Sequence, residues 1–338
     1  MIKLIVLFLT FSLIYVKTDE INDLIKHVNS VQKLWIAGKP MRTREQMMST
    51  IMDSDIDIKD NLGNIKERAH VITNMDDMGG NFDAREVWPE CESIQVINDQ
   101  SECKSSWAMA AVESMSDRLC INSGGIIKKS LSVQDLLSCC PHGELECGEG
   151  CNGGIPFKAW NYWVKHGIVT GGSYGSNQGC RSYSIAPCGQ TINNVTYPDC
   201  TNMTQSTPVC EQKCDSSSYA ISYKDDKHYG NNDVTQLSKS VTAIQSDIMT
   251  AGPIQTTMEI YDDFLQYTTG IYVHLTGNKL GKLSVRILGW GIDNGVPYWL
   301  LANSWGRNWA ENGTFRVLRS VNECGIEENC ISATPRLA

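Results

Sequence analysis

The chain has 338 residues, a formal net charge of −9 and 41% hydrophobic residues. That size and composition suit a soluble globular protein with one large or two medium folded units. The acidic balance argues against nucleic acid or an anionic membrane as the main partner, and it fits an ordinary solvated surface equally well.

Residues 4–16 form an apolar run behind Lys3. Thirteen residues are too few to cross a bilayer but match the core of a secretory signal, with Val16 and Thr18 as the best small-residue pair for cleavage. Residues 1–18 are therefore read as a signal peptide. Ile21, Leu24, Ile25, Val28, Val31 and Trp35 recur at helical spacing and predict an amphipathic helix stopped by Gly38-Lys39-Pro40. The stretch beyond it, with Asp53, Asp55 and Asp57, shows little periodicity. This cysteine-free region, residues 19–78, reads as a pro-segment docked by one helical face, or as an independent small helical module.

The cysteine-bearing domain spans residues 79–338. Ala108, Val112, Met115 and Leu119 share one face of a helix running from about Ser105 to Cys120. LSVQDLLSCC and PFKAWNYWVKHG predict two more helices, and residues 172–218, rich in Gly, Ser, Asn, Pro and Cys, predict a long stapled loop region. SVRILGW, VPYWLLAN and TFRVLRS read as strands, the first two joined by a turn at Asn294-Gly295. Helices first and strands later imply an α+β architecture with two lobes, and a cleft between lobes is a common ligand site.

Fourteen cysteines in an exported chain read as a disulfide framework. Cys139, Cys140, Cys147, Cys151, Cys210 and Cys214 would serve as an alternative zinc set, but no histidine falls at ligand spacing among them. Disulfides are preferred, and neither a metal nor a cofactor is implied. Sequons at Asn194, Asn202 and Asn312 suit the same compartment, which places the protein outside the cell or in the lysosome.

DQSECKSSWA, SCC, CGEGCNGG, GCRSYSIAPC, KHYG, VRILGWG, PYWLLANSWGRNWAENG and ECGIE together resemble cathepsin B of the papain-like cysteine proteases, in order, from about Phe82 to Pro335. WIAG is similar to that family's propeptide. The resemblance implies a helical left lobe and a β-barrel right lobe with the active cleft between them, preceded by a pro-segment. It implies a nucleophilic Cys where this chain has Ser106 and a base His where it has Leu283. It further implies that Asn303 would orient the base, with Trp305 shielding it. Gln100 would supply the oxyanion-hole side chain, and Gly153-Gly154 would pair with substrate backbone.

A thiolate is accessible near neutral pH when it is paired with an imidazolium at a helix N-terminus, whereas a serine hydroxyl needs a base within hydrogen-bond reach. Leu283 has no lone pair. Loss of one member of a comparable triad costs roughly a million-fold in turnover, so no meaningful peptidase activity is expected. None of the six histidines, His27, His70, His142, His166, His228 and His274, stands where the base belongs.

Other positions depart from the family pattern. Of the two glycines implied on either side of Cys103, one is replaced by Ser101, with Glu102 beside it, and the cleft-lining one by Lys104. It would either crowd the adjacent subsite or turn to solvent. The two occluding-loop histidines correspond to Gln190 and Thr191, and the loop's ion pairs would need an acid at Asn308 and a base near Tyr197. Only Asp99 remains of their acids, so a looser loop is expected, restrained mainly by Cys188–Cys200. The specificity acid of the second pocket falls on Asn329. By resemblance the disulfides are Cys91–Cys120, Cys103–Cys151, Cys139–Cys210, Cys140–Cys147, Cys180–Cys214 and Cys188–Cys200. Cys324 and Cys330 would bridge only if the chain turns between them.

The expected function is that of a monomeric, catalytically inactive pseudoprotease binding a peptide, a protein partner or a protease inhibitor in its cleft. The alternatives are a cathepsin B-type peptidase with residual or unconventional hydrolysis, and a structural or storage protein.

Overall fold

The computed structural model describes residues 20–40, 42–56, 80–192, 194–237 and 239–337. The signal-like run, Asp57 and His70 lie outside the described residues. Helix α1 covers residues 20–31. It is followed by strand β1 (Trp35–Ala37), helix α2 (Arg44–Met48), strand β2 (Phe82–Asp83) and helix α3 (Ala84–Val87). The helical lobe holds α4 (Ser106–Asn122), α5 (Val133–Cys139) and α6 (Pro156–His166). A small hairpin, β3 (Thr191–Ile192) and β4 (Val195–Thr196), stands apart from the main sheet. Then come β5 (Thr235–Gln236), α7 (Val241–Ala251), β6 (Ile254–Tyr261), β7 (Tyr267–Tyr272), β8 (Lys279–Asp293), β9 (Val296–Ala302), β10 (Thr314–Leu318) and β11 (Ile331–Ser332).

The sheet lobe is one nine-stranded sheet ordered β1-β7-β10-β9-β8-β6-β11-β5, with β2 pairing on β8. Its spine is the β8–β9 hairpin, whose turn residues Asn294 and Gly295 both have positive φ, as a tight turn between twisted strands demands. The sheet's core and the helical lobe's core are separate apolar clusters.

Helix α4 runs between them, packed on β8 and β6 as well as on α5 and α6. The four-residue stripe predicts one buried face, yet every residue from Ser106 to Cys120 is buried. The charged ones are matched by partners from the sheet lobe. Arg286 on β8 pairs with Asp117 at 2.5 Å and approaches Glu113 at 3.6 Å. Arg118 pairs with Asp247 on α7 and donates to the Pro253 carbonyl at 2.8 Å. Burial of charge is tolerated when each charge is matched in this way.

The N-terminal expectation needs one correction. The helix stops at residue 31, before Gly38, and Trp35 belongs to β1, which pairs antiparallel with β7. Its indole packs at a tilt against Tyr272, with ring centroids 5.2 Å apart, and donates Nε1–H to the Val273 carbonyl at 3.0 Å. Burying a Trp with its N–H satisfied outweighs continuing a helix whose last residue, Val31, is 55% exposed.

Six disulfides form: Cys91–Cys120, Cys103–Cys151, Cys139–Cys210, Cys140–Cys147, Cys180–Cys214 and Cys188–Cys200. Every cysteine of the alternative zinc set is bridged. Cys324 and Cys330 are free thiols. Each thiol instead approaches a local acceptor, Glu323 at 3.4 Å and the Ile326 carbonyl at 3.5 Å, and burial pushes both above the usual thiol range.

Candidate active-site cleft

Ser106 opens α4, after a loop anchored by Cys103–Cys151 and by the Lys104 N–H donating to the Cys151 carbonyl at 2.8 Å. The hydroxyl is fully buried. Its Oγ accepts from the backbone N–H of Ser284 on β8 at 3.2 Å, its one hydrogen bond among the described residues. Leu283, the residue before, is fully buried in the sheet core and pairs with Met258 on β6.

Gln100 and Asn303 meet through Ser304. The Gln100 N–H donates to the Ser304 carbonyl at 2.8 Å, and Ser304 Oγ donates to Gln100 Oε1 at 2.6 Å. Asn303 Oδ1 accepts from the Ser304 N–H at 2.7 Å, while its buried Nδ2 has no partner among the described residues. Trp305 is buried beside Phe264 and Trp309. Tyr183, quoted within GCRSYSIAPC but given no role there, supports the wall. Its hydroxyl bonds the Gln100 carbonyl at 3.0 Å and lies 3.1 Å from Ser105 Oγ. Burial pushes that hydroxyl well above the usual tyrosine range, so it stays a protonated donor.

No described histidine hydrogen-bonds Ser106 or Asn303. His228 pairs by backbone with Ile168, His274 Nδ1 lies 3.1 Å from Asp263, His166 rests against Tyr162, and His27 and His142 are exposed.

Residues 49–56 lie in the cleft. The Thr50 carbonyl accepts from Gln100 Nε2 at 2.8 Å, and that amide also donates to the Cys103 carbonyl at 2.7 Å. Ile51 is buried in the sheet core and Met52, its neighbour, in the helical core, so two consecutive residues stitch the lobes together. Met52 makes a reciprocal backbone pair with Lys282, N–H to carbonyl at 3.0 and 2.8 Å. Gly281 permits this approach, since a Cβ there would meet the Met52 carbonyl oxygen at 2.1 Å.

Gly153 has φ +123° and faces Ile56, whose Cδ1 would lie 2.4 Å from any Cβ, so it lines the cleft floor. Gly154 sits deeper, against the Trp107 ring. Lys104 neither crowds an empty subsite nor turns to solvent. It crosses to Asp53, Nζ to Oδ1 at 2.7 Å. Asn329 lines a pocket of about 160 Å³ with Ser54, Met258, Glu259 and the free Cys324.

The loop closed by Cys188–Cys200 has anchors that sequence reasoning missed. Glu102 is buried and accepts from Thr201 Oγ1 at 2.9 Å and from the Asn202 N–H at 2.6 Å. Gln190 bonds Asp99, which also pairs with Arg42 at 2.8 Å, and Asn308 Nδ2 donates to Gln190 Oε1 at 3.3 Å. Thr191 stays exposed in β3, opposite Thr196. The expected looser loop is thus restrained by a buried carboxylate as well as by its disulfide. Only the acid's identity was visible in the sequence; its distant partners were not.

The profile of the papain family cysteine proteases matches residues 78–334. The chain belongs to the papain family. It is 49% identical over 317 residues to cathepsin B-like cysteine proteinase 5 of Caenorhabditis elegans, covering 93% of this chain and 90% of that one. Cathepsin B-like cysteine proteinase 4 of the same organism is 46% identical, covering 95% and 93%. Among solved structures, procathepsin B S9 from Trypanosoma congolense superposes with a TM-score of 0.76 at 29% identity, covering 93% and 97%. A digestive procathepsin L 3 of Tenebrio molitor shares the fold at 20% identity and a TM-score of 0.63. The protein is a cathepsin B-like member of the papain family with the papain-like α+β fold.

Proposed function

We propose that this cathepsin B-like protein is a pseudoprotease: a disulfide-braced scaffold that binds a peptide, a protein partner or a protease inhibitor without cleaving it. One observation carries the reading. The hydroxyl of Ser106, where the family places its nucleophile, bonds among the described residues only to a backbone N–H, and the position assigned to the base holds the aliphatic Leu283. A hydrogen-bond donor facing the oxygen does not take its proton. Asn303 Oδ1, the atom that would accept from an imidazole N–H, instead accepts from the Ser304 N–H at 2.7 Å. Residues 19–78 act as the pro-segment, with Thr50 to Ile56 filling the cleft. The apolar run and the disulfides favour export to the cell exterior or the lysosome. Among the described residues no helix is long and apolar enough to cross a membrane.

The test is incubation with a fluorogenic dipeptide substrate and a thiol-directed epoxide. No turnover and no labelling are expected, and turnover that disappears in Ser106→Ala overturns the reading. A second reading, slow cathepsin B-type hydrolysis, draws on the retained Gln100 and Asn303 and on relatives named as proteinases. It predicts cleavage that accelerates towards alkaline pH.

A further inference from the structure

We propose that the cleft selects acidic peptides, those presenting two apolar residues followed directly by an aspartate or glutamate, and that Lys104 is the side chain that reads the acid. The proposal rests on the peptide-binding reading above and names the ligand class of the same site.

The seated segment shows what the cleft grips. Gln100 holds the Thr50 carbonyl, the two lobes take Ile51 and Met52 in turn, and Lys282 pairs with the Met52 backbone. These contacts accept any chain with two apolar side chains at those places, because the hydrogen bonds go to backbone. Discrimination by charge begins at Asp53, whose carboxylate meets Lys104 at 2.7 Å.

Lys104 is held for this task. Its backbone is tied to Cys151 beside a disulfide, and its side chain is only 16% exposed. The carboxylates beside it in the same loop are committed elsewhere: Glu102 to Thr201 and Asn202, Asp99 to Arg42 and Gln190. Among the described residues, Asp53 is the one carboxylate that Lys104 pairs with. Lys104 loses its counter-ion when the segment leaves, so a ligand that displaces the segment binds better if it returns an anion there, by a charge-assisted hydrogen bond. Lys282 adds a second cation, its Nζ donating to the Ile56 carbonyl at 2.5 Å. A chain of net charge −9 thus carries two lysines along its peptide groove.

Two measurements on the full chain test this. First, amide hydrogen exchange over residues 50–56 is compared in the unaltered protein, Lys104→Ser, Asp53→Asn and the swap Lys104→Asp with Asp53→Lys. The single changes should speed exchange by about three- to tenfold and the swap should restore protection, the range expected for a partly buried charge-assisted pair. Unchanged exchange in both single variants overturns the proposal. Second, a fluorescein-labelled peptide with the sequence of residues 49–56, and the same peptide with its first Asp replaced by Asn or Lys, are titrated by anisotropy. The receptor is the full chain carrying Met52→Ser, which removes the buried anchor of its own segment. The Asp peptide should bind about three- to tenfold tighter than the Asn peptide and the Lys peptide weakest, with the order lost when Lys104→Ser is added. Equal affinities overturn acid selection while leaving peptide binding intact. Failure of all three peptides to bind overturns the peptide-binding reading itself, whatever the exchange shows.

Discussion

The hydroxyl of Ser106 faces the backbone N–H of Ser284 at 3.2 Å, and the side chain one residue earlier on the same strand is that of Leu283. Strand β8 therefore delivers a hydrogen-bond donor to an oxygen that, for catalysis, would have to give up its own proton. A donor stabilises a lone pair but cannot serve as a base.

Restoring both reacting groups tests whether the cleft is otherwise competent. Ser106→Cys alone and Leu283→His alone should leave dipeptide hydrolysis at background. The double variant should exceed either by about a thousand-fold or more, since members of a catalytic set act as a unit. Hydrolysis by fluorescence and labelling by the epoxide check this, with circular dichroism confirming that an imidazole in place of buried Leu283 leaves the fold intact. A silent, folded double variant would locate the block in the seated segment or Lys104 rather than in the chemistry.

Glu102 should prove to be the anchor of the 188–200 loop. Glu102→Ala removes the charged acceptor of the Asn202 N–H and Thr201 hydroxyl, at a cost of about 1–3 kcal/mol. Hydrogen exchange near residues 200–205 should quicken while α4 stays protected. Equal protection in variant and parent would show that the disulfide alone restrains the loop.

Arg286 joins the sheet to α4, and removing it leaves Asp117 and Glu113 buried without their cation. Arg286→Met should destabilise by about 3–5 kcal/mol, as expected when one partner of a buried ionic cluster is deleted. Thermal unfolding measures it. Adding Asp117→Leu and Glu113→Met should recover much of the loss, and no recovery would mean the arginine acts through packing rather than charge.

Two groups contribute to the acid side of stability. Burial holds the His228 imidazole below its usual value, opposed by Asp226 and reinforced by Lys129. Its neutral form is favoured in the fold, so its contribution is complete above the unfolded value of about 6.5 and declines as pH falls through the lowered folded value. Burial alone would raise the Glu311 carboxyl, but bonds from Arg316, Thr269 and the Gly270 N–H outweigh it and hold it low. That contribution is complete above about 4.3 and is lost as pH falls through the lowered folded value. Melting temperature should therefore fall on acidification in two stages. His228→Gln should flatten the upper stage and Glu311→Gln the lower, and unaltered slopes in both would remove these residues from the account.

Local spacing and side-chain chemistry were enough to place α4, α5, α6 and the β8–β9 hairpin with its Asn294-Gly295 turn, because those depend on residues a few positions apart. They were also enough to identify Ser106 and Leu283 as a hydroxyl and an alkyl group, which is a property of the residues and not of their surroundings. The tertiary structure decided the rest. Trp35 leaves the helical stripe for a strand because Tyr272 and the Val273 carbonyl lie more than 230 positions away, where no periodicity in its own segment can register them. Lys104 finds Asp53, Glu102 finds Asn202 and Tyr183 finds Gln100 for the same reason. Each pair is brought together only when two lobes and an N-terminal segment pack at once, and the energy that selects it, burial of a charge or a ring with its partner in place, does not exist until they do.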